Sequence, residues 1–247
     1  MPTAPTEQSA FDGTWKIDLK NSSFSQKPDV LLLLNGMYSC QTCVPAFNVK
    51  ADGADQPISG SPYVDTIAVK VVNAREVREV DKKGGKTVGE VTDRVSPDGN
   101  SLTAHWNFSP PNGAPVDGVG NSTPIKKGPT GSHAISGSWR NNNATISDSG
   151  IVWTYKVNGD EITMANPTGQ SYTAKLDGVD APMKGDPETT SVAVKMLGKN
   201  TLQEIDKRDG KLISVWTMTV SKDGKTAKGV GEDKLAGRTD KFSIIKQ

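Results

Sequence analysis

"DGADQPISGSPYVDTIAVKVVNAREVREVDKKGGKTVGEVTDRVSPDGN" spans residues 52–100, and "DGVDAPMKGDPETTSVAVKMLGKNTLQEIDKRDGKLISVWTMTVSKDGK" spans residues 177–225. The two align without a gap at a constant offset of 125 positions, matching Asp52 with Asp177, Pro57 with Pro182, Val69 with Val194, Glu79 with Glu204 and Asp81 with Asp206. Upstream, Gly13-Thr14-Trp15 answers Gly137-Ser138-Trp139 at an offset of 124, so one insertion lies between. The chain is a tandem duplication, and each copy of about 115–120 residues is long enough to bury a core of its own. A Gly/Pro/Ser-rich passage around residues 127–132 reads as the junction. The expected division is a first domain over 10–128 and a second over 129–247.

Within the second copy, strand signals follow one another at hairpin spacing. They read "GSWRNN", "IVWTYKV", "EITMAN", "QSYTAKL", "TSVAVKML", "LQEIDK", "KLISVWTMTV", "TAKGVGED" and "DKFSIIK". The repeated "DGADQP" and "DGVDAP" stretches read as turns, because Asp-Gly is common in tight turns. An antiparallel up-and-down meander of this kind closes into a barrel, since closure removes both exposed edges. The expected fold is all-β: two tandem up-and-down barrels of about eight to ten strands each.

The composition excludes several functions. Lys and Arg total 29 against 28 Asp and Glu, a net charge of +1, so a phosphate backbone gains little here and no nucleic-acid partner is expected. The longest apolar run, residues 30–34, is far short of the ~20 residues that a membrane helix needs. The opening "MPTAPTEQSAFDGTW" resembles the start of a mature exported protein whose signal peptide was replaced by Met1.

The motifs add a resemblance. A Gly-x-Trp opening a meander barrel resembles the first-strand signature of the lipocalin/calycin superfamily. "GTWKIDLKNSSFS", "YTAKLDGVDAPMKGDP" and "MTVSKDGKT" resemble small exported bacterial lipocalin-like proteins of unassigned role. The resemblance implies that Trp15 and Trp139 each close one barrel end beneath a basic residue near the last strand. Lys126 or Lys127, and Arg238 or Lys241, are the cations it suggests, each contact contributing about 0.5–1 kcal/mol. The second copy departs from the pattern: "GSWRNNNATISDSG" lacks the "KIDLKNSSF" continuation.

Alternation assigns the inward face. In the second copy Ile151, Trp153, Tyr155 and Val157 share one parity, and Leu212, Trp216, Met218 and Val220 share another. In the first, Leu102, Ala104, Trp106 and Phe108 do so, which turns His105 outward. His133 falls in the junction and is expected in water. With two histidines in the chain, a histidine metal site has little to build on, and no metal or cofactor is expected. No hydrolase elbow, Walker loop or zinc-protease signature occurs. Asp93 lies on the inward parity where the second copy has Met218. It is either a buried acid or a residue at the barrel mouth paired with Arg94 or Lys86. Glu79 and Glu204, kept in both copies, suit a structural hydrogen bond; Asp93 and Glu204 are the weak catalytic candidates.

The aromatic set points to binding. Trp153, Tyr155, Tyr172, Trp216 and Met218 converge on the interior of the second barrel, and Phe47, Trp106 and Phe108 on that of the first. Such residues either fill a core or line a pocket for one small apolar or aromatic molecule. The leading expectation is an exported binding protein. The alternatives are an enzyme of hydratase, isomerase or lyase type on the same scaffold, and an interaction module of the cell envelope.

The two cysteines stand in "MYSCQTCVP", residues 37–45. A redox C-x-x-C needs a helix N-terminus that this region does not supply, and a metal site needs further soft ligands. Cys40 and Cys43 are therefore expected to form a disulfide across a hairpin turn, which suits a periplasmic or secreted location.

Overall fold

A computed structural model of the protein describes residues 9–247; residues 1–8, which open the polar lead likened above to the start of a mature exported protein, lie outside the described residues. The first half holds β1 (Gly13–Ser23), β2 (Asp29–Leu34), β3 (Met37–Cys40), β4 (Phe47–Lys50), β5 (Asp52–Pro57), β6 (Thr66–Asn73), β7 (Glu76–Lys83), β8 (Lys86–Val95), β9 (Leu102–Phe108) and β10 (Val116–Lys127). The second holds β11 (Gly137–Ile146), β12 (Val152–Asn158), β13 (Glu161–Ala165), β14 (Ser171–Lys175), β15 (Asp177–Pro182), β16 (Ser191–Gly198), β17 (Thr201–Arg208), β18 (Lys211–Val220), β19 (Thr226–Asp233) and β20 (Arg238–Lys246). Two-residue turns such as Gly84-Gly85 and Asp209-Gly210 have positive φ throughout. That is the turn geometry whose twist matches the flanking strands. The result is two ten-stranded, all-antiparallel, nearly closed barrels in tandem.

The strands are not shared out by halves of the chain. β1 lies between β12 and β20, inside the barrel otherwise built from the second copy, while β11 lies between β2 and β10 in the other. Trp15 stands opposite Trp153 and Lys246, and Trp139 stands opposite Asp29 and Pro124. Sheet membership thus differs from the contiguous division at 128/129. The chain crosses between barrels at residues 24–28 and 147–151, and the Gly/Pro-rich junction only links β10 to its own neighbour β11. Both copies open on the same Gly-x-Trp strand. Below, the first barrel is β2–β11 and the second is β1 with β12–β20.

Each barrel end is plugged in the same way. Trp15 Nε1 donates to the Phe11 carbonyl at 2.7 Å and Trp139 Nε1 to the Ile135 carbonyl at 2.8 Å, so both buried indoles are satisfied. The Asp12 carboxylate accepts the Val157 amide at 2.6 Å, and at the equivalent place the Ser136 hydroxyl accepts the Leu33 amide at 2.9 Å. The Gly of the motif is needed because its φ of +120° at Gly13 lies in a region that L side chains rarely adopt. Lys246 places its Nζ 5.2 Å from the centre of the Trp15 ring. The cation is therefore Lys246; Arg238 instead pairs with Asp29. At the matching register Trp139 faces Pro124, so neither Lys126 nor Lys127 fills the role there.

Three local expectations are corrected. "DGADQP" and "DGVDAP" are strands, β5 and β15, entered through an Asp-Gly kink in which Asp52 and Asp177 accept the amides of Ala54 and Val179. Leu212 is exposed and Ile213 buried, because a register shift in the β17–β18 pairing flips the parity there. His133 is part of the structure: its Nε2 meets the Asn73 carbonyl at 2.7 Å and its Nδ1 accepts the Ile135 amide. His105 is exposed, as its parity predicts.

Cys40 and Cys43 form a disulfide with Cα atoms 5.5 Å apart. Cys40 ends β3 opposite Phe47, while Cys43 lies in the connection to β4. The bridge therefore clips a strand end to its own loop rather than joining two strands across the hairpin. Cys40 aligns with Ala165 and Phe47 with Tyr172 at the same offset of 125, so this loop carries no insertion, and the extra residue of the second copy lies upstream, between the Gly-x-Trp strand and β13.

Candidate functional site

The inward carboxyl groups come from one strand shared by the copies. Glu79 and Asp81 on β7 correspond to Glu204 and Asp206 on β17, two residues apart and so on one face. In the second barrel Glu204 is buried and accepts a hydrogen bond from the Tyr155 hydroxyl at 3.1 Å. Burial, reinforced by the neighbouring Asp206 charge, pushes the Glu204 carboxyl up to about 8, against the pull of the donated hydrogen bonds. Burial also raises Asp206, and the Ser214 hydroxyl donating at 2.5 Å opposes it. Asp206 Oδ1 and Trp153 Nε1 are buried with no hydrogen-bond partner among the described residues.

In the first barrel the same row carries one more acid. Asp93 on β8 takes the register position of Met218 and is half-buried. Burial, then the charge of Asp29, pushes it up to about 7. It does not pair with Arg94, which binds Glu76 at 2.7 Å on the outer face. Burial raises Asp81 to about 6 and lifts Glu79 well above the usual carboxylate range, the latter with help from Asp81 and Asp93. Among the described residues no group of three or more His, Cys, Asp and Glu is placed to hold a metal ion.

The aromatics build a cavity of about 590 Å³ in the mouth of the second barrel, walled on its other side by the first. Trp153 meets Tyr155 and Trp216 edge to face, with ring centres 6.2 and 6.0 Å apart. Trp216 leans on Phe242 at 5.6 Å. A glycine on the next strand lets the Trp216 ring lie flat, since a Cβ on Gly229 would stand 2.3 Å from it. From the first barrel come Trp106, Phe108 and Tyr63, the last two in an edge-to-face pair at 5.5 Å. Trp106 is accommodated like Trp216: a Cβ on Gly118 of the adjacent strand would lie 2.1 Å from its ring. The barrels are held together at this rim by Tyr63 Oη donating to Asp186 at 2.6 Å and by the Ala114 amide on the Pro167 carbonyl at 2.8 Å.

Of the residues singled out from the sequence, Trp153, Tyr155, Trp216, Trp106 and Glu204 line this one cavity. Tyr172 and Met218 are core residues packed behind it, at 2% and 0% exposure. Phe47 packs on Tyr38 with ring centres 6.0 Å apart, and Asp93 lies in the other barrel. Sequence reasoning missed Asp206 and Tyr63. Asp206 was legible, since it shares the parity of Glu204 and recurs as Asp81. Tyr63 sits in a loop without periodicity and becomes part of the site only through the packing of the two barrels. Comparison of the chain with protein-family models and with curated proteins found no match.

Proposed function

We propose that the protein is an exported binding protein that holds a small apolar or aromatic molecule in the cavity between the barrels. The observation that carries this is the cavity itself. Its volume falls within the range of small-molecule sites, its walls are mainly apolar with six aromatic rings among them, and it includes convergent polar groups. The disulfide supports an oxidising compartment, periplasmic or extracellular. The calycin-like duplication supports a carrier role by resemblance of architecture. Titration of a panel of lipophilic aromatic compounds, followed by intrinsic tryptophan fluorescence, should give saturable quenching that Trp153→Ala and Trp216→Ala each reduce. A flat response to every compound would overturn the proposal.

A second reading, an enzyme of hydratase, isomerase or lyase type, draws support from one observation: Glu204, a buried carboxyl group held near neutrality, borders the cavity. Asp93 gives it no support, being outside the cavity. Turnover of a bound compound that Glu204→Gln abolishes without weakening binding would favour this reading.

A further inference from the structure

The cavity is chemically one-sided. It presents the carboxyl groups of Glu204 and Asp206, yet no Lys, Arg or His lines it. On the outer surface several carboxylates pair with bases, as Asp180 on β15 pairs with Lys207 on β17. Glu204 receives only phenolic O–H groups and no cation, and Asp206 Oδ1 is buried with no donor. A neutral hydrocarbon would leave the two acidic groups beside it without a counter-charge, and an anion would be repelled by Asp206 and by Glu204 as it ionises. The walls around them are the rings of Trp153, Trp216, Tyr155 and Trp106. Indole faces attract cations more strongly than other rings do, the more so away from water. A cation seated here would also favour the charged forms of the two carboxyl groups.

Resting on the proposal that this cavity binds a small molecule, we infer that its ligand class is a lipophilic organic ammonium ion, held between the indole rings and the Glu204–Asp206 pair.

The test compares benzyltrimethylammonium with its neutral carbon isostere, neopentylbenzene, both titrated at pH 8 against tryptophan fluorescence. The permanently charged compound should bind at least about tenfold more tightly, a margin that cation–π contacts and one carboxylate contact supply together. Asp206→Asn, and separately Glu204→Gln with Asp206→Asn, should reduce the preference to within about threefold. Unchanged affinity for neopentylbenzene shows that the variants keep their fold. Equal binding of the two compounds to the native protein, or a preference that survives both variants, overturns the ammonium inference. If amines from tetramethylammonium to benzyltrimethylammonium fail while neutral aromatics bind, the inference falls and the pocket stands. If nothing in either series binds, both fall.

Discussion

The two barrels descend from one repeat and have diverged on the same interior row. Both keep the Glu-x-Asp pair, Glu79/Asp81 and Glu204/Asp206, in the same register. Around it, the second barrel places Trp216 where the first has Val91, and Met218 where the first has Asp93. In the first barrel the large indole has moved one strand over, to Trp106, and the neighbouring strand carries Gly118 to accept it. A barrel interior therefore tolerates a tryptophan on either of two adjacent strands, provided that a glycine faces its ring. The difference also separates tasks. The second barrel joins its acids to an open aromatic cavity, whereas the first keeps three carboxyl groups half-buried, a disulfide at the far hairpin, and its aromatics turned toward its partner.

The largest expected effect comes from breaking the strand exchange. Removal of residues 1–23 should strip the second barrel, not the first, because β1 pairs only with β12 and β20. Near-UV circular dichroism from Trp153 and Trp216 should collapse while a folded first barrel persists. Conversely, cutting the chain within residues 129–132 should leave both fragments associated through gel filtration, since each completes the other's sheet. Fragments that part in native buffer would refute the exchange.

The acid rows come next. A carboxyl group whose folded pKa is raised adds stability below its unfolded value, and that stability is lost as pH rises through the folded value. For Glu204 the loss runs from about pH 4.5 to about pH 8, and for Asp93 from about pH 3.8 to about pH 7. The protein should therefore melt at progressively lower temperature from pH 5 to pH 8.5. Asp93→Met, which installs the residue of the second copy, should stabilise the first barrel by about 1–3 kcal/mol at pH 8.5 and by less at pH 5. A gain independent of pH would show that Asp93 does not titrate in the folded state. Glu204→Gln should flatten the slope of the second barrel while keeping the acceptor for Tyr155.

A smaller contrast lies at the disulfide. Replacing both Cys40 and Cys43 by Ser should cost about 2 kcal/mol, because so short a loop restricts the unfolded chain only slightly. The denaturant midpoint of the first barrel should fall and that of the second should hold. Smallest of all, Lys246→Ala should cost about 0.5–1 kcal/mol through the loss of its contact with Trp15. Lys126→Ala should leave the first barrel unchanged, because Pro124 faces Trp139 there.

Much of this was legible in residues. Alternation placed Trp153, Tyr155, Trp216 and Trp106 inside, and His105 outside, because side-chain direction in a strand has a strict period of two. The same rule failed at Leu212, where an extra residue in one strand reverses the parity, a change that no pattern of apolar residues announces. It also missed β5 and β15, whose Asp-Gly openings carry turn chemistry at the head of a strand. Asp206 was visible by its recurrence as Asp81, but only the fold gave it a buried, unpartnered oxygen. Tyr63 and Phe108 join the cavity by packing across barrels, a long-range contact that local sequence does not encode.

By itself, then, the sequence determined the duplication, the all-β meander, the inward rows and the disulfide partners, because each depends on local spacing. Which barrel receives each first strand was decided only by the tertiary structure. Both strands open on Gly-x-Trp, so local pattern does not tell which sheet each joins, and the crossings at 24–28 and 147–151 carry the chain between barrels. That same exchange and packing set the barrels mouth to wall, and the cavity exists only where they meet.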